Sequence, residues 1–344
     1  MEFPKELENS KSLLAKYLTK EVFEILKDKT TSNGYTLAQA INSGVKNPDS
    51  GIGAYVGDEE SYSTFKELFD PIIEEYHGFK PEDMHKSNFN PDDLNAPNPD
   101  PEGKYIVSTR IRVGRNIKNI PLGTAITKDQ RDKVEKDISS ILVTFPDDLG
   151  GKYYPLNNMT QQESESLIKD HFLFKAGDRF LETAGLNRDW PNGRGIYHNN
   201  DKTFLVWINE EDELRIISMQ KGGDIKEVFT RLSRAVKLIQ SKVEFAYSDH
   251  LGYITSCPTN LGTAMRASVH IKVPNLGASM DKFQEIANRY NVQIRGIDGE
   301  HSKSIGGIYD ISNKRRLGVT EVQCVQDMYD GVVALIKAEK ELQK

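Results

Sequence analysis

The sequence predicts an α+β protein, with a small all-α N-terminal domain and a larger C-terminal domain in which helices flank an antiparallel β-sheet. Three observations predict it. Apolar residues recur every three or four positions over roughly the first 80 residues. Alternation of period two begins only after a stretch rich in proline and asparagine, and a chain of 344 residues is long enough for two domains.

The N-terminal domain is predicted over residues 1–87. "SLLAKYLTKEVFEILKD" has the apolar spacing of one amphipathic helix. "TFKELFDPIIEEY" predicts a second helix that Pro71 breaks or kinks. Between them, the glycine-rich "NPDSGIGAYVGDEES" is a loop by composition.

Residues 88–103, "NFNPDDLNAPNPDPEG", are predicted to form a linker, because the segment holds four prolines and four asparagines. The C-terminal domain is predicted over 104–344. Its β-rich segments are "KYIVSTRIRVGR", "GYITSC", "MRASVHIKV" and the hairpin "KTFLVWINEEDELRIISM". The helical segments between them are "TKDQRDKVEKDISSILVTF", "DIKEVFTRLSRAVKLIQSKV", "SMDKFQEIANRY" and "EVQCVQDMYDGVVALIKAEKEL".

Charge and cysteine content exclude several classes of protein. The net charge is −6, with 45 Lys and Arg against 51 Asp and Glu, which indicates neither a nucleic-acid nor a membrane partner. The first residues include early acidic ones and no unbroken apolar stretch, so we expect a cytoplasmic protein without a signal peptide or membrane anchor. The two cysteines, Cys257 and Cys324, exclude a disulfide framework.

Arginines on predicted strands form the first candidate site. Period two places them on sheet faces, where guanidinium forks suit phosphate oxygens. They are Arg110, Arg112, Arg215, Arg266 and Arg295. Their convergence would bind a polyphosphate, and the alternative is a set of solvent-facing arginines, each with a local carboxylate. The usual phosphate-binding loops G-x-x-x-x-G-K-[ST] and G-x-G-x-x-G are missing, and so are H-E-x-x-H, C-x-x-C and G-x-S-x-G.

A cysteine and several glutamates form the second candidate site. Cys257 lies in a Pro-Asn-Gly turn, where the Thr259 hydroxyl and nearby arginines would lower its pKa. The alternative is a buried, inert thiol. Glu210–Glu213 form the hairpin turn, or else an ordinary solvated charged turn. Glu300, in "RGIDGEHSKSIGG", lies in a glycine-flanked loop that could close over a ligand or simply be a mobile polar loop. "NKRRLG" is interpreted as a solvated stretch or a local anion contact.

"CPTNLGT" followed by "RASVHIKVP" resembles the signature of the phosphagen (guanidino) kinases, and within that family the segments are most similar to those of arginine kinases. "STRIRVGR", "DHFLFKAGDRF", "GRGIYHN" and "GGIYDISNKRRLG" are similar to family segments in the same order, so the resemblance covers nearly the whole chain. It implies the α+β fold above and the reversible transfer of the γ-phosphoryl of MgATP to a small guanidino acceptor. The expected acceptor is L-arginine, giving phosphoarginine and ADP and buffering cellular ATP.

The resemblance also implies roles for individual residues. The five strand arginines would bind the nucleotide phosphates, His171 would lie against the adenine and His270 near the nucleotide. Mg²⁺ would be held through the phosphates and water, without a protein metal site, and the protein would be a monomer.

On the acceptor side, the resemblance implies that Glu211 and Glu300 hold the guanidinium while Cys257 contacts its non-reacting nitrogen. Backbone amides of the loop would grip the acceptor's carboxylate with help from Tyr55. That loop consists of Ser50, Gly51, Ile52 and Gly53. Alignment of one nitrogen with the γ-phosphorus at about 3–3.5 Å would dominate catalysis, and either glutamate could accept the proton.

Three departures from the family pattern concern the acceptor. Ala54 replaces a larger apolar residue, one glycine follows His77 where two are usual, and Ile297-Asp298 replaces Thr-Arg. Tyr76 favours arginine, but taurocyamine, glycocyamine and lombricine remain alternatives. A non-catalytic nucleotide-binding relative and a protein-arginine kinase are the other two hypotheses.

Overall fold

Five helices form the N-terminal domain. The computed structural model describes residues 1–297 and 304–344. The N-terminal helices are α1 (Leu13–Tyr17), α2 (Lys20–Leu26), α3 (Leu37–Lys46), α4 (Ser61–Thr64) and α5 (Lys66–His77). The sequence predicts a single helix over the first apolar segment, and this is wrong, because α1 and α2 form there instead. Thr19 interrupts it, since its hydroxyl accepts a hydrogen bond from the Val22 amide (3.2 Å) and so caps a new helix.

Pro71 does not break α5, so of the predicted break or kink the break is wrong. The helix runs from Lys66 to His77 with the proline inside it. Proline removes one helical hydrogen bond and disfavours the helix interior by about 3 kcal/mol. The buried apolar face that includes Phe69 and Ile72 outweighs that loss.

The C-terminal domain alternates strands and helices. In chain order its elements are β1 (Ile106–Arg115), α6 (Lys128–Leu142), β2 (Gly151–Pro155), α7 (Gln161–Lys169), α8 (Arg179–Thr183), β3 (Gly195–Asn199), β4 (Phe204–Ile208), β5 (Leu214–Lys221), α9 (Ile225–Gln240), β6 (Tyr247–Ser248), β7 (Gly252–Tyr253), β8 (Met265–Lys272), α10 (Pro274–Gly277), α11 (Met280–Arg289), β9 (Val292–Arg295), β10 (Ile308–Asn313) and α12 (Glu321–Leu342). The predicted hairpin is β4–β5, with its turn at 209–213.

Eight strands form one sheet in the order β2-β3-β4-β5-β1-β8-β10-β9, and every neighbouring pair is antiparallel. The fold class predicted from the sequence is therefore confirmed. Alternate residues of β1, such as Ile111 and Val113, are fully buried in the core that α6, α9 and α12 share with the sheet. The opposite face carries the arginines, and Arg112 lies directly across from Arg266 on β8.

Residues 88–103 pack against the C-terminal domain over much of their length. Leu94 and Ala96 are buried in its core, and the ring of Phe89 stacks on that of Phe229 at 5.2 Å between centroids. The segment is therefore partly packed, because Leu94 and Ala96 are buried and Phe89 is half-buried against the core. None of the helices within the described residues combines the length and apolarity needed to span a bilayer.

The two domains share hydrophobic packing. The core of the N-terminal domain takes in side chains that belong to the larger domain, namely Leu122, Ala246, Leu251, Ile254, Leu261 and Leu317. This packing brings the glycine-rich loop of the small domain next to the cysteine turn of the large one, where the Val56 amide donates to the Ser256 carbonyl (3.0 Å).

Candidate active site

A cavity of about 300 Å³, here called the sheet cavity, lies on the face of the sheet opposite α6, α9 and α12. Its lining includes these residues with predicted nucleotide contacts: Arg110, His171, Arg266, His270 and Arg295. Phe172 and Trp207 provide an apolar wall. A second cavity of about 310 Å³ continues from it and shares Arg110 and His270. The two together form a trough with cations along one side and apolar surface along the other.

A third cavity of about 540 Å³, the interdomain cavity, lies between the two domains. Gly51, Ile52 and Tyr76 line it from the small domain. From the large domain come residues of the hairpin, the cysteine turn and the arginine set, namely Arg112, Glu211, Arg215, Thr259, Asn260, Arg295 and Arg316. Because Arg295 lines both this cavity and the sheet cavity, the two adjoin.

The arginines lie close enough to perturb one another. Burial, reinforced by repulsion from Arg215 and Arg266, lowers the pKa of Arg110 to about 10. The same causes lower the pKa of Arg112, for which no hydrogen bond or ion pair to a described residue is found. The interpretation in which each arginine has a local carboxylate therefore fails for Arg112 within the described part of the chain. Its positive charge faces the interdomain cavity instead.

Asp310, on β10, is a site residue that the sequence analysis missed. Its carboxylate accepts a hydrogen bond from Arg266 and lies 3.1 Å from Nε2 of His270. Although burial opposes ionisation, the hydrogen bonds and charges of His270 and Arg266 lower the pKa of Asp310. It faces the sheet cavity and orients two of the predicted nucleotide contacts.

The turn between β4 and β5 is anchored in the protein, so its interpretation as a solvated charged turn is wrong. The side-chain amide of Asn116 donates to Asp212 (2.9 Å), and its oxygen accepts from the Glu213 amide (2.9 Å). The Glu213 carboxylate accepts from the Ile117 amide (3.0 Å), and its side chain is 1% exposed. These bonds fix the backbone on either side of Glu211.

Glu211 points into the interdomain cavity with a 16% exposed side chain. Burial and repulsion from Glu210 and Asp212 raise the pKa of Glu211 to about 7, although Arg215 and Arg112 oppose the rise. The distance from its carboxylate to Nη2 of Arg215 is 3.5 Å, which is a loose ion pair. Glu211 is therefore only weakly paired with Arg215, and a cationic ligand in the cavity would stabilise its charged form further.

The Cys257 thiol lies 3.1 Å from the Thr259 hydroxyl, at the start of a 3₁₀ turn at Pro258–Asn260. The predicted lowering of its pKa is wrong. Burial and the negative charge of Glu211 raise the pKa of Cys257 to about 12, and the Thr259 hydrogen bond offsets only part of the rise. The thiol is therefore neutral here, and a cation next to it would favour the thiolate.

The loop 50–53 is held through its carbonyl groups. The amides of Leu13 and Leu14 donate to Gly51 O and Ile52 O, both at 2.9 Å, and the Gly44 amide donates to Gly53 O at 2.9 Å. By contrast, the amides of residues 51–53 donate to no residue that the structure describes. They are free to bind an anion at the mouth of the interdomain cavity.

The remaining predicted residues have different surroundings. The Ser50 hydroxyl donates to Asn47 O (2.7 Å), so it serves the loop itself. Burial raises the pKa of Tyr55, and the charges of Cys257 and Glu211 add to the rise, so its ring lies near both. Glu300 and Asp298 lie outside the described residues, whereas Ile297 lines the sheet cavity.

Arg316 is the other site residue that the sequence analysis missed. It lies in "NKRRLG", for which the sequence predicts a solvated stretch or a local anion contact. Arg315 fits that prediction, but the side chain of Arg316 reaches the interdomain cavity and donates a hydrogen bond to Asn260. Its neighbour Arg315 is exposed and pairs with Asp327, so the composition of the segment could not distinguish the two.

The site combines an arginine-lined cavity, whose charge suits a polyphosphate, with an adjoining cavity in which Glu211 suits a cation, and this is the pairing that a kinase for a cationic acceptor requires. Two family models match the chain: the C-terminal catalytic domain of ATP:guanido phosphotransferases over residues 133–342, and their N-terminal domain over residues 8–74. The chain therefore belongs to the ATP:guanido phosphotransferase family, the phosphagen kinases, and the resemblance found in the sequence is confirmed.

Similar proteins include arginine kinases. The chain is 58% identical over 337 residues to an arginine kinase of Anthopleura japonica, which covers 97% of this chain but only 47% of that protein. It is 56% identical over 333 residues to the arginine kinase Lit v 2.0101 of Penaeus vannamei, covering 96% of this chain and 94% of that protein. The chain thus spans about half the length of the Anthopleura relative.

Similar solved structures act on other guanidines. A lombricine kinase matches with a TM-score of 0.94 and 40% identity, over 99% of this chain and 95% of that chain. The duplicated taurocyamine kinase of Schistosoma mansoni, with bound transition state analog components, matches with a TM-score of 0.91 and 43% identity. That match covers 98% of this chain and 48% of the Schistosoma chain.

Proposed function

We propose that the protein transfers the γ-phosphoryl of MgATP reversibly to the guanidino group of L-arginine, and so buffers ATP. One observation carries the proposal: the arginine-lined sheet cavity adjoins, at Arg295, a cavity that contains Glu211. A phosphoryl donor in the first cavity and a guanidinium in the second would meet where the positive charges are densest.

The nucleotide would lie along the trough, with its base on the apolar wall near His171 and its phosphates toward the arginines. Arg110, Arg266 and Arg295 would hold the phosphates in the sheet cavity, and Arg112 and Arg215 would face the γ-phosphoryl from the interdomain side. Mg²⁺ would arrive with the nucleotide and neutralise developing charge on the phosphates. Asp310 lines the same sheet cavity, and its carboxylate is already bonded to Arg266 and His270.

The acceptor would place its guanidinium between Glu211 and Cys257 and its carboxylate on the amides of the loop 50–53. A guanidinium is a poor nucleophile because its lone pairs are delocalised, so fixing its plane supplies much of the catalysis. With a pKa of about 7, Glu211 is suited to accept the proton that the attacking nitrogen loses. The acceptor's positive charge would also lower the pKa of Cys257. We assign Glu300 the second carboxylate position from the family resemblance alone.

L-Arginine is favoured over other guanidines by two observations. The relatives named as arginine kinases are 56–58% identical, whereas the lombricine and taurocyamine kinases are 40–43% identical. Tyr76, which favours arginine in the sequence, lines the interdomain cavity.

ADP production from MgATP with a panel of acceptors tests the assignment. The panel is L-arginine, taurocyamine, glycocyamine, lombricine, creatine and no acceptor. We expect kcat/KM for L-arginine to exceed that of every other guanidine by at least tenfold. Preference for another guanidine would retain the reaction and overturn the acceptor, whereas ADP binding without turnover would indicate a non-catalytic relative.

We further propose that the protein acts as a monomer in the cytoplasm. The monomeric state is proposed from the resemblance to the arginine kinases. Both cysteines are free, and a functional thiol beside MgATP suits a reducing compartment.

A further inference from the structure

The N-terminal domain clamps the backbone that carries Cys257. Three of its donors bind carbonyl groups around the cysteine: the Tyr62 hydroxyl on Thr255 O (2.8 Å), the Val56 amide on Ser256 O (3.0 Å) and the His77 imidazole on Pro258 O (2.8 Å). The Cys257 carbonyl itself accepts from the Thr255 hydroxyl (2.8 Å). Four successive carbonyls are thus hydrogen-bonded, three of them across the domain boundary.

His77 differs from the other two donors in where it binds. Its acceptor, Pro258, separates Cys257 from Thr259, the two residues whose side chains lie 3.1 Å apart. His77 is the last residue of α5, which ends at Gly78 in the left-handed conformation (φ 66°). The preceding residue, Tyr76, lines the interdomain cavity, so one helix end contacts both the cavity and the cysteine turn.

The imidazole is a neutral donor. A carbonyl oxygen only accepts, so Nε2 of His77 must carry the hydrogen. Burial, with the charge of Arg316 nearby, lowers the pKa of His77 to about 4, although the bond to Pro258 opposes the shift. The ring therefore stays neutral at physiological pH and holds the bond throughout the working range.

We propose that His77 is a positioning residue for the phosphoryl-transfer reaction: its imidazole holds the Pro258 carbonyl and so fixes Cys257 and Thr259 against the acceptor. The proposal rests on the proposed function above. On the far side of the same turn, Arg316 donates to Asn260, so the 3₁₀ turn is held at both ends. Loss of the His77 bond would loosen the Pro258 carbonyl, which lies between the thiol and the Thr259 hydroxyl. The bonds to the preceding carbonyls and to Asn260 would remain.

Loss of the His77 bond should affect the reaction of the acceptor and not the binding of the nucleotide. The arginines assigned to the phosphates lie on sheet strands, whereas the hydrogen bond of His77 goes to the cysteine turn, so nucleotide affinity should be insensitive to it. Loss of the bond should lower acceptor kcat/KM by about three- to tenfold, which corresponds to about 0.7–1.4 kcal/mol and is the usual net worth of one hydrogen bond.

Three variants of the full chain test the proposal. His77→Phe keeps a ring and removes the donor, whereas His77→Gln keeps an N–H near the position of Nε2. His250→Phe is the matched control, because Nδ1 of His250 likewise binds a backbone carbonyl, that of Asp83 at 2.6 Å, outside the cysteine turn.

Steady-state kinetics with L-arginine and MgATP give KM for each substrate and kcat. Separately, iodoacetamide labelling of the ligand-free proteins, read by peptide mass spectrometry, gives the alkylation rate of Cys257, with the fully buried Cys324 as internal reference.

We expect His77→Phe to lower kcat/KM for L-arginine about three- to tenfold, to change KM for MgATP less than twofold, and to alkylate at Cys257 at least three times faster. His77→Gln and His250→Phe should stay within about twofold of the wild type in every measurement. A folded His77→Phe variant with unchanged acceptor kinetics and labelling overturns the proposal, and so does a His77→Gln variant as impaired as His77→Phe. If the wild type phosphorylates no guanidine, the proposed function has failed, and the alkylation rates alone decide whether His77 holds the thiol.

Discussion

Arg112 is expected to reduce the stability of the ligand-free protein while serving its activity. It lies directly opposite Arg266, and such partners have Cα atoms about 4.5–5.5 Å apart. Two like charges about 8 Å apart, at an effective dielectric constant of about 20, repel by about 2 kcal/mol. Arg215 and Arg110 add to this repulsion. We therefore expect Arg112→Met to stabilise the ligand-free protein by about 1 kcal/mol, after allowance for lost packing of the arginine stem.

The same substitution should remove most of the activity. Loss of one preorganised donor to a developing anion lowers kcat by about 10²–10³-fold. Differential scanning calorimetry with and without MgADP measures the stability side. Without ligand, the variant should melt roughly 1–2 °C above the wild type. With saturating MgADP, the order should reverse, because ligand stabilisation depends on affinity.

Arg234→Met provides the control for the change of side chain. Arg234 is half exposed and pairs with Asp148 away from the cleft, so its loss should change stability by less than about 0.5 kcal/mol. If Arg112→Met melts below both the wild type and this control, repulsion among the arginines does not destabilise the protein. If the variant keeps its activity, Arg112 does not bind the phosphates.

Further predictions concern the acceptor side. Glu211→Gln should lower phosphoryl transfer by about 10²–10⁴-fold while ADP affinity, measured by calorimetry, stays within about twofold; loss of ADP binding would assign Glu211 to the nucleotide. In the wild type, kcat/KM for the acceptor should fall as the pH drops below about 7, because protonated Glu211 no longer attracts a guanidinium, and a flat profile would contradict its raised pKa. Gly44→Ala should destabilise the protein by about 1–3 kcal/mol and raise acceptor KM, because a Cβ there would lie 2.4 Å from Gly53 O; normal melting and kinetics would show that the loop yields freely. Cys257→Ala should lower kcat by about 10²-fold in a folded protein, and near-normal turnover would remove the thiol from the mechanism.

Periodicity revealed the part of the site that lies on regular strands. Arg110 and Arg112 share a face because period two places residues i and i+2 together, and the neighbouring strands extend that face. The hairpin with Glu211 at its turn was equally visible, because charged turn residues interrupt two apolar runs.

Residues outside regular patterns were harder to predict. Arg316 and Arg315 are adjacent and identical in type, yet one lines the interdomain cavity and the other pairs with Asp327 in solvent. Only the path of the chain between β10 and α12 distinguishes them. Asp310 was missed for a related reason, since a single carboxylate on a strand gives no sign of Arg266 and His270, which contact it from the neighbouring strand.

The electrostatics of the site depend on tertiary burial. The local sequence around Cys257 offers a hydroxyl that favours a thiolate, but the packed domains exclude water and bring Glu211 close, and these two effects prevail. The clamp of His77, Tyr62 and Val56 on the cysteine turn is also non-local, because it joins residues about 180–200 positions apart. No pattern within one segment could predict it.

The central claim is that one cleft passes a phosphoryl group directly from ATP to a guanidine nitrogen. ³¹P NMR of MgATP and L-arginine with catalytic amounts of the protein tests it most directly. We predict that the γ-phosphate resonance declines as a phosphoguanidine resonance grows, and that added ADP reverses the change. Release of inorganic phosphate alone, or phosphorus that remains bound to protein, would contradict the claim.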